Sequence, residues 1–120
     1  MEVNLVAQKI EEKIKQLEKL TSMLKDRAEA KAKTSAEYDK QMALVIVKIR
    51  NKAIKEYEGF TLDDLPANLL EKIAKGICYQ ARLDMDIGKN SYKSLITAIE
   101  TTRSILNGWQ SVNRYLSEEV

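Results

Sequence analysis

Residues that break secondary structure are scarce in this sequence. Its 120 residues include four glycines and one proline, and residues 1–58 contain neither type. β-Sandwiches and barrels need a turn about every eight to twelve residues, usually built from glycine, proline, asparagine or aspartate. The long stretch without glycine or proline therefore excludes an all-β fold.

Histidine is absent, and Cys78 is the only cysteine. A single cysteine forms no intrachain disulfide, which favours a reducing, cytoplasmic location. Zinc sites are built mainly from cysteine and histidine, so neither a metal site nor another cofactor is expected. The longest apolar run, residues 42–47, is far shorter than the about 20 residues that span a bilayer, and the N-terminus does not resemble a signal peptide.

The charges nearly balance, with 20 basic and 18 acidic residues and a net charge of +2. This balance creates no field that would attract nucleic acid or a membrane, so neither is expected as a partner. An apolar fraction of 44% and a charged fraction of 32% are typical of a folded globular chain. We expect a single domain over residues 1–120.

Apolar side chains recur at helical spacing through most of the chain. Val3, Ile10 and Leu17 follow one another at seven-residue intervals, which is typical of an amphipathic helix with coiled-coil character. We predict an all-α bundle of three to four helices, over residues 2–33, 35–58, 67–87 and 91–117. The first two form one long helix or are separated by a bend near residues 32–35, where Thr34 and Glu37 match a capping box.

Glycine and proline mark the remaining predicted boundaries. Residues 59–66 form the clearest loop, because Gly59 suits the end of one helix and Pro66 the first turn of the next. Residues 88–91, Gly-Lys-Asn-Ser, are expected to close the third helix and cap the fourth. Gly76 predicts a close contact with another helix, because glycine costs about 1 kcal/mol relative to alanine inside a helix.

Residues 43–47, Ala-Leu-Val-Ile-Val, are apolar on every side of a helix. A helix that is apolar all round is buried all round, and a four-helix protein this small surrounds few positions so completely. We predict that a second chain covers one side, in an intertwined homo-oligomer. The alternatives are a central helix or a short strand, which the β-branched residues favour.

Arginines and amides share one face of the predicted fourth helix. At 100° per residue, Arg103, Asn107, Gln110 and Arg114 fall on one line, which Tyr92 continues toward the N-terminus. A guanidinium group binds phosphate through paired hydrogen bonds, and amides pair with the edges of bases or ribose. An ordinary solvated flank explains the same residues, although the other predicted surfaces carry mainly lysine and glutamate.

The third helix carries a second line of polar residues, Lys75, Tyr79, Arg82 and Asp86. Arg82 and Asp86 have the spacing of an ion pair within a helix, which favours a structural role. Alternatively, Tyr79 and Arg82 complete a pocket walled by the fourth helix, in which an aromatic ring stacks on a base. The candidate ligand-binding residues are Tyr79, Arg82, Tyr92, Arg103, Asn107, Gln110 and Arg114.

No arrangement of catalytic side chains is recognisable in the sequence. Cys78 has no histidine partner, and Asp84 and Asp86 lack a nearby third ligand that would complete a hydrolytic metal centre. Neither a glycine-rich phosphate loop nor a nucleophile elbow is present. We therefore expect a protein that is not an enzyme.

Three segments of the second half carry a resemblance to known proteins: residues 76–82 (Gly-Ile-Cys-Tyr-Gln-Ala-Arg), residues 92–93 (Tyr-Lys) and residues 107–116 (Asn-Gly-Trp-Gln-Ser-Val-Asn-Arg-Tyr-Leu). They resemble small uncharacterised α-helical proteins of temperate phages of Gram-positive bacteria, over residues 36–116. The resemblance implies a phage accessory factor in the cytoplasm of an infected host. Such factors include inhibitors of host defence, and some of these inhibitors are oligomers that sequester nucleotide immune signals.

The residues and the resemblance together lead to one expected function. We expect a homo-oligomeric phage protein that binds a small phosphate-bearing nucleotide ligand between the third and fourth helices and so counters host immunity. A helical module that docks on a host or phage protein is the main alternative, and a DNA recombination or replication accessory protein is another. An enclosed electropositive pocket would favour the ligand, and a flat exposed apolar patch would favour docking.

Overall fold

The computed structural model describes residues 3–118, which form an all-α fold with one small hairpin. The elements in chain order are α1 (Val3–Ser22), α2 (Leu24–Arg50), β1 (Glu56–Tyr57), β2 (Phe60–Thr61), α3 (Ala67–Ile77) and α4 (Tyr79–Glu118). The predicted all-α class is confirmed, and α1 and α2 together make the long, bent N-terminal helix of 48 residues. The predicted helix start at residue 2 lies outside the described residues. Within residues 3–118, no helix is long and apolar enough to cross a membrane.

The N-terminal helix is interrupted at Met23 and not near Thr34. The Met23 N–H donates to the carbonyl of Leu20, three residues back, at 3.1 Å, which tightens the turn there. Thr34 lies inside α2, so the predicted capping box is wrong. Its hydroxyl donates to the carbonyls of Ala30 at 2.9 Å and Lys31 at 3.2 Å, so the side chain is satisfied without ending the helix.

Helix α2 ends at Arg50, before the predicted end at residue 58. Lys52 adopts a left-handed conformation with φ 66°, which ends the helix, and its N–H donates to the Ile49 carbonyl at 3.2 Å. The Asn51 side-chain oxygen then accepts a hydrogen bond from the Ala53 N–H at 3.0 Å. A left-handed lysine beside an asparagine turn, and not a glycine, therefore terminates this helix.

Part of the predicted loop over residues 59–66 is instead a β-hairpin. Strands β1 and β2 pair antiparallel, with Glu56 opposite Thr61 and Tyr57 opposite Phe60. The two turn residues, Glu58 and Gly59, have φ values of 52° and 78°. Two positive φ values identify the type I′ turn whose twist matches that of the paired strands.

The predicted turn at residues 88–91 is wrong, because α4 runs without a break from Tyr79 to Glu118. The interruption between α3 and α4 falls at Cys78 instead. Gly88 is buried inside α4, and a Cβ atom there would lie 2.7 Å from Thr34 Oγ1 and 3.4 Å from Lys31 Cα. The absence of a side chain at residue 88 thus lets α2 and α4 approach each other closely.

The chain forms two compact units, and the prediction of a single domain stays a prediction. The terminal unit comprises residues 3–28 and 91–118 of the described chain. Its buried side chains are Val6, Leu95, Ile99, Thr102 and Leu106. Within this unit, Arg27 Nη1 donates to the Ser91 carbonyl at 3.2 Å.

The central unit, residues 29–90, has its own apolar core. Ile49, Leu62 and Leu70 form the buried cluster, and the half-buried Val45 and Ile46 pack against it. On the other side of α2, Leu44 is 48% exposed and Val47 is 57% exposed. The expectation that residues 43–47 are buried on every side is therefore wrong for the single chain. Partners for Val45 and Ile46 come from the same chain.

Candidate functional site: the groove on α3 and α4

A shallow, open groove in the central unit contains two of the predicted ligand-binding residues, Tyr79 and Arg82. We call it the α3–α4 groove, and it is lined by Lys72, Lys75, Gly76, Tyr79, Arg82, Leu83 and Asp86. Successive positions in this set are one or three residues apart. Such intervals bring side chains to one helical face.

The helical spacing persists across the junction between α3 and α4. Cys78 has φ −90° and ψ 22°, yet its N–H donates to the Ala74 carbonyl at 2.9 Å and its carbonyl accepts from Arg82 N–H at 3.1 Å. Lys75 and Arg82 therefore stay on the same face although they belong to different helices.

The Cys78 side chain is buried, and this burial raises the pKa of its thiol, so the sulfur is neutral near pH 7.

Gly76 places the hairpin beside the groove. A Cβ atom on Gly76 would lie 3.1 Å from the Tyr57 hydroxyl and 3.5 Å from Tyr57 Cε1. Gly76 does therefore mark a close contact, but its partner is a hairpin tyrosine and not a second helix. The glycine allows β1 to pack tightly against α3.

Cations outnumber anions around the groove. Its lining includes Lys72, Lys75 and Arg82 but only one carboxylate, Asp86. Lys75 Nζ lies 3.2 Å from Glu71 Oε1, so that lysine is already paired. Within residues 3–118 the side chains of Lys72 and Arg82 form no ion pair or hydrogen bond. Two cations are therefore available to an anionic ligand.

The predicted ion pair between Arg82 and Asp86 is not formed within residues 3–118. Both side chains are exposed, and an exposed pair of this spacing contributes only about 0.3–0.5 kcal/mol, which barely offsets the entropy of holding two long side chains together. The guanidinium group of Arg82 keeps its five N–H donors open to solvent or ligand.

Tyr79 supplies an aromatic surface to the groove. Its side chain is 67% exposed, and Leu83, one turn further along α4, is 49% exposed. Exposed aromatic rings provide stacking surfaces for bases, and a neighbouring arginine adds charge. The arrangement combines a stacking surface with two unpaired cations.

The other five candidate residues lie on α4 within the terminal unit. Arg103, Asn107, Gln110 and Arg114 are exposed, and Tyr92 is half-buried. Leu95 and Leu106 of the same helix are buried. These five residues line none of the three clefts described within residues 3–118. The expected pocket lies between two separate helices, over residues 67–87 and 91–117. These two helices are not separate, because residues 79–118 form one helix.

Sequence reasoning missed Lys72 and Leu83 as members of the groove. The signal was nevertheless present, because Lys72, Lys75, Tyr79 and Arg82 follow one another at intervals of three, four and three residues. All four residues lie within the predicted third helix, residues 67–87, so the wrong helix end at residue 87 does not change which face they share. The predicted line of polar residues begins at Lys75 and therefore leaves out Lys72, which lies about one turn earlier.

A second cleft of about 310 Å³ in the central unit has mixed charge. Arg50 and Lys52 face it from the end of α2, and Asp63 and Asp64 from the turn before α3. Its four charges cancel, so it offers an anion less than the α3–α4 groove does. Asp63 and Asp64 lie between β2 and α3, and neither caps α3, which begins after Pro66 without a side-chain cap.

Comparison with known proteins gave no relative. No protein-family model, curated protein or solved structure matches this chain.

Proposed function

We propose that this protein is a non-catalytic binding protein that holds a phosphate-bearing, nucleotide-type ligand in the α3–α4 groove. The observation that carries the proposal is the position of Arg82 and Lys72, both unpaired within residues 3–118, around the exposed ring of Tyr79. A cation pair beside an exposed aromatic ring suits a ligand with one anionic end and one planar end.

Each groove residue has a distinct role under this proposal. Arg82 forms two parallel hydrogen bonds to phosphate oxygens, and Lys72 adds a flexible point charge. Tyr79 stacks on the base, and the Asp86 carboxylate accepts a hydrogen bond from a ribose hydroxyl or an exocyclic amine. Because Tyr79 is largely exposed, one side of the ligand stays in water. We expect micromolar affinity for one groove, at about −8 kcal/mol.

The biological purpose that we propose follows from the resemblance to phage accessory proteins. A binding protein made in quantity lowers the free concentration of its ligand without any chemical step. Sequestration of a host signalling nucleotide would counter an immune response in this way. The proposal needs no catalytic group in the groove.

A thermal-shift screen tests the binding directly. The panel contains inorganic pyrophosphate, cyclic mono- and dinucleotides, linear nucleoside triphosphates and ADP-ribose derivatives. A ligand at 100 times its Kd stabilises the folded state by about 2.7 kcal/mol, which raises the melting temperature by several degrees. If nothing in the panel shifts the melting temperature at about 1 mM, corresponding to about −4 kcal/mol, the proposal is wrong.

Arg82→Gln and Arg114→Gln form a matched pair of variants for any nucleotide that binds. Losing a charge-assisted hydrogen bond costs about 1.5–3 kcal/mol, so Arg82→Gln weakens binding roughly ten- to a hundredfold. Arg114→Gln makes the same chemical change on an exposed surface of the terminal unit and leaves the affinity unchanged. Tyr79→Phe keeps the stacking surface and binds normally, whereas Tyr79→Ala does not. Equal affinity of Arg82→Gln and wild type would place the site elsewhere.

One observation favours protein docking as a second candidate function. Tyr79, Leu83 and Ile87 lie one turn apart on α4, and each is about half exposed or more. An apolar stripe at this spacing suits a helix or peptide of a partner protein. Under this candidate no nucleotide shifts the melting temperature, and a photo-crosslinking residue in place of the exposed Ile87 captures one defined partner. Leu83→Asn then abolishes that capture, whereas Arg82→Gln does not.

A further inference from the structure

The surface of α2 that faces away from the central core is exposed and partly apolar. Lys40, Ala43, Leu44 and Val47 run along its middle, and all four are exposed. They lie on the side of α2 opposite to Val45 and Ile49, which contact the core. We call this surface, over residues 36–50, the outer face of α2. It is separate from the lining of the α3–α4 groove.

Charged residues flank the outer face in a fixed order. Glu37 and Lys48 lie on one flank, and Asp39 and Arg50 lie on the other, at about 80° to either side of the apolar line by the 100° rotation per residue. All four are exposed. On each flank the acid precedes the base by eleven residues. The acidic end of the outer face is therefore N-terminal, and the basic end is C-terminal.

This order makes the outer face complementary to itself in one orientation only. When two copies pair antiparallel about a two-fold axis between Ala43 and Leu44, Glu37 meets Lys48 of the other copy and Asp39 meets Arg50. In a parallel pair, acid would face acid and base would face base at the same heights, which opposes association. Two-fold symmetry repeats every favourable contact, as isologous interfaces require.

The same antiparallel pairing places the apolar side chains opposite one another. Leu44 lies beside Ala43 of the other copy, and Val47 lies against the aliphatic stem of Lys40, whose charged end can reach water. Leu44 and Val47 are about half exposed in the single chain, so both have surface left to bury. Val45 is not part of this contact, because it already packs against the core of its own chain.

We infer that the partner of the outer face is a second copy of this chain, docked antiparallel through residues 36–50. This inference does not depend on the proposed ligand. The paired stretch is about 22 Å long at 1.5 Å per residue, which is shorter than the three to four heptads of a self-sufficient coiled coil. The dimer therefore forms in the micromolar to sub-millimolar range and is weakened by salt.

Complementary charge variants test the inference. The acidic variant carries Lys48→Glu and Arg50→Glu, and the basic variant carries Glu37→Lys and Asp39→Lys. Each variant alone places like charges together at four positions in a symmetric dimer, so its association weakens about tenfold or more. An equal mixture restores opposite charges everywhere and yields a heterodimer. Sedimentation equilibrium measures the masses, and circular dichroism shows that each variant keeps its helices.

A control variant and a cross-linking experiment complete the test. Lys89→Glu with Lys93→Glu changes the charge equally on exposed positions of α4 and leaves dimerisation unchanged. In a Cys78→Ser background, mixed Lys40→Cys and Val47→Cys chains form the heterodisulfide in preference to either homodisulfide, as only antiparallel pairing predicts. A monomeric wild type at about 1 mM, equivalent to about −4 kcal/mol, would overturn the inference. So would a mixture of the two charge variants that stays monomeric when wild type dimerises.

Discussion

Gly88 and Gly59 occupy opposite structural situations, although in the sequence each of them suggests the end of a helix. Gly88 lies inside α4 at the crossing with α2, where an added Cβ would lie 2.7 Å from Thr34 Oγ1. Gly59 lies in the hairpin turn with φ 78°, and an added Cβ there has no neighbour within 4 Å. The first position needs glycine for space, and the second needs it for backbone conformation. A glycine in a sequence does not distinguish these two needs.

Gly88→Ala has the largest expected effect on stability. The new methyl group must displace Thr34 or separate two helices, and overpacking of this kind costs about 1–3 kcal/mol. Alanine recovers about 1 kcal/mol of helix propensity, so the net loss is at most about 2 kcal/mol. Urea unfolding followed by circular dichroism measures the difference.

A second substitution tests whether the helix crossing causes that loss. Thr34→Ala removes the oxygen nearest to the new methyl group, so the double variant recovers part of the stability lost in Gly88→Ala. Independent effects of the two substitutions would simply add. Additivity in this cycle would show that Gly88 and Thr34 are not in contact.

Gly59→Ala is expected to cost less, about 1 kcal/mol. The loss comes from placing a side chain at positive φ, since no neighbouring atom opposes the methyl group. Gly59→Asn should lose less than Gly59→Ala, because asparagine tolerates this conformation better. The same unfolding assay applies. Equal losses for the two variants would argue against a turn with positive φ at residue 59.

Gly108→Ala has the smallest effect and the opposite sign. Gly108 is helical and exposed, and an added Cβ has no neighbour within 4 Å. Alanine should therefore stabilise the protein by about 0.5–1 kcal/mol through helix propensity and a less flexible unfolded chain. Destabilisation by Gly108→Ala would show that this glycine has a close neighbour, as Gly88 has.

Periodicity of apolar residues predicted the helices well but not all of their ends. The all-α class and the long N-terminal helix follow from spacing alone, because one buried face repeats along each helix. Thr34 and Gly88 both carry local signals for a break. Both residues nevertheless lie inside helices, where they meet at the close approach of α2 and α4. This contact joins residues far apart in sequence, so a local sequence pattern does not predict it.

The hairpin was missed for a different physical reason. Its strands are two residues each, which is too short for an alternating pattern to show. Leu62 follows directly and is buried with Ile49 and Leu70, so the core holds the chain after it leaves α2. The predicted continuation of the second helix to residue 58 is therefore wrong beyond Arg50.

The candidate site divides in a comparable way. Helical spacing predicts that Tyr79 and Arg82 share a face, and they lie together in the α3–α4 groove because that spacing continues across the interruption at Cys78. The same spacing predicts a shared face for Arg103, Asn107 and Gln110, but these residues lie on an exposed helix surface outside the described clefts. Spacing predicts which side chains share a face, but concavity depends on what packs beside that face.

The functional proposal is tested most directly by a nuclear magnetic resonance titration of the uniformly ¹⁵N-labelled protein with pyrophosphate and with an ADP-ribose derivative. Both probes carry the phosphate charge that Arg82 and Lys72 are proposed to bind, and only the second carries a base for Tyr79. We predict saturable amide shifts centred on residues 72–86 with both ligands, tighter binding of the ADP-ribose derivative, and loss of these shifts in Arg82→Gln. Shifts centred on residues 103–114, or no saturable shifts with either ligand, would contradict the account.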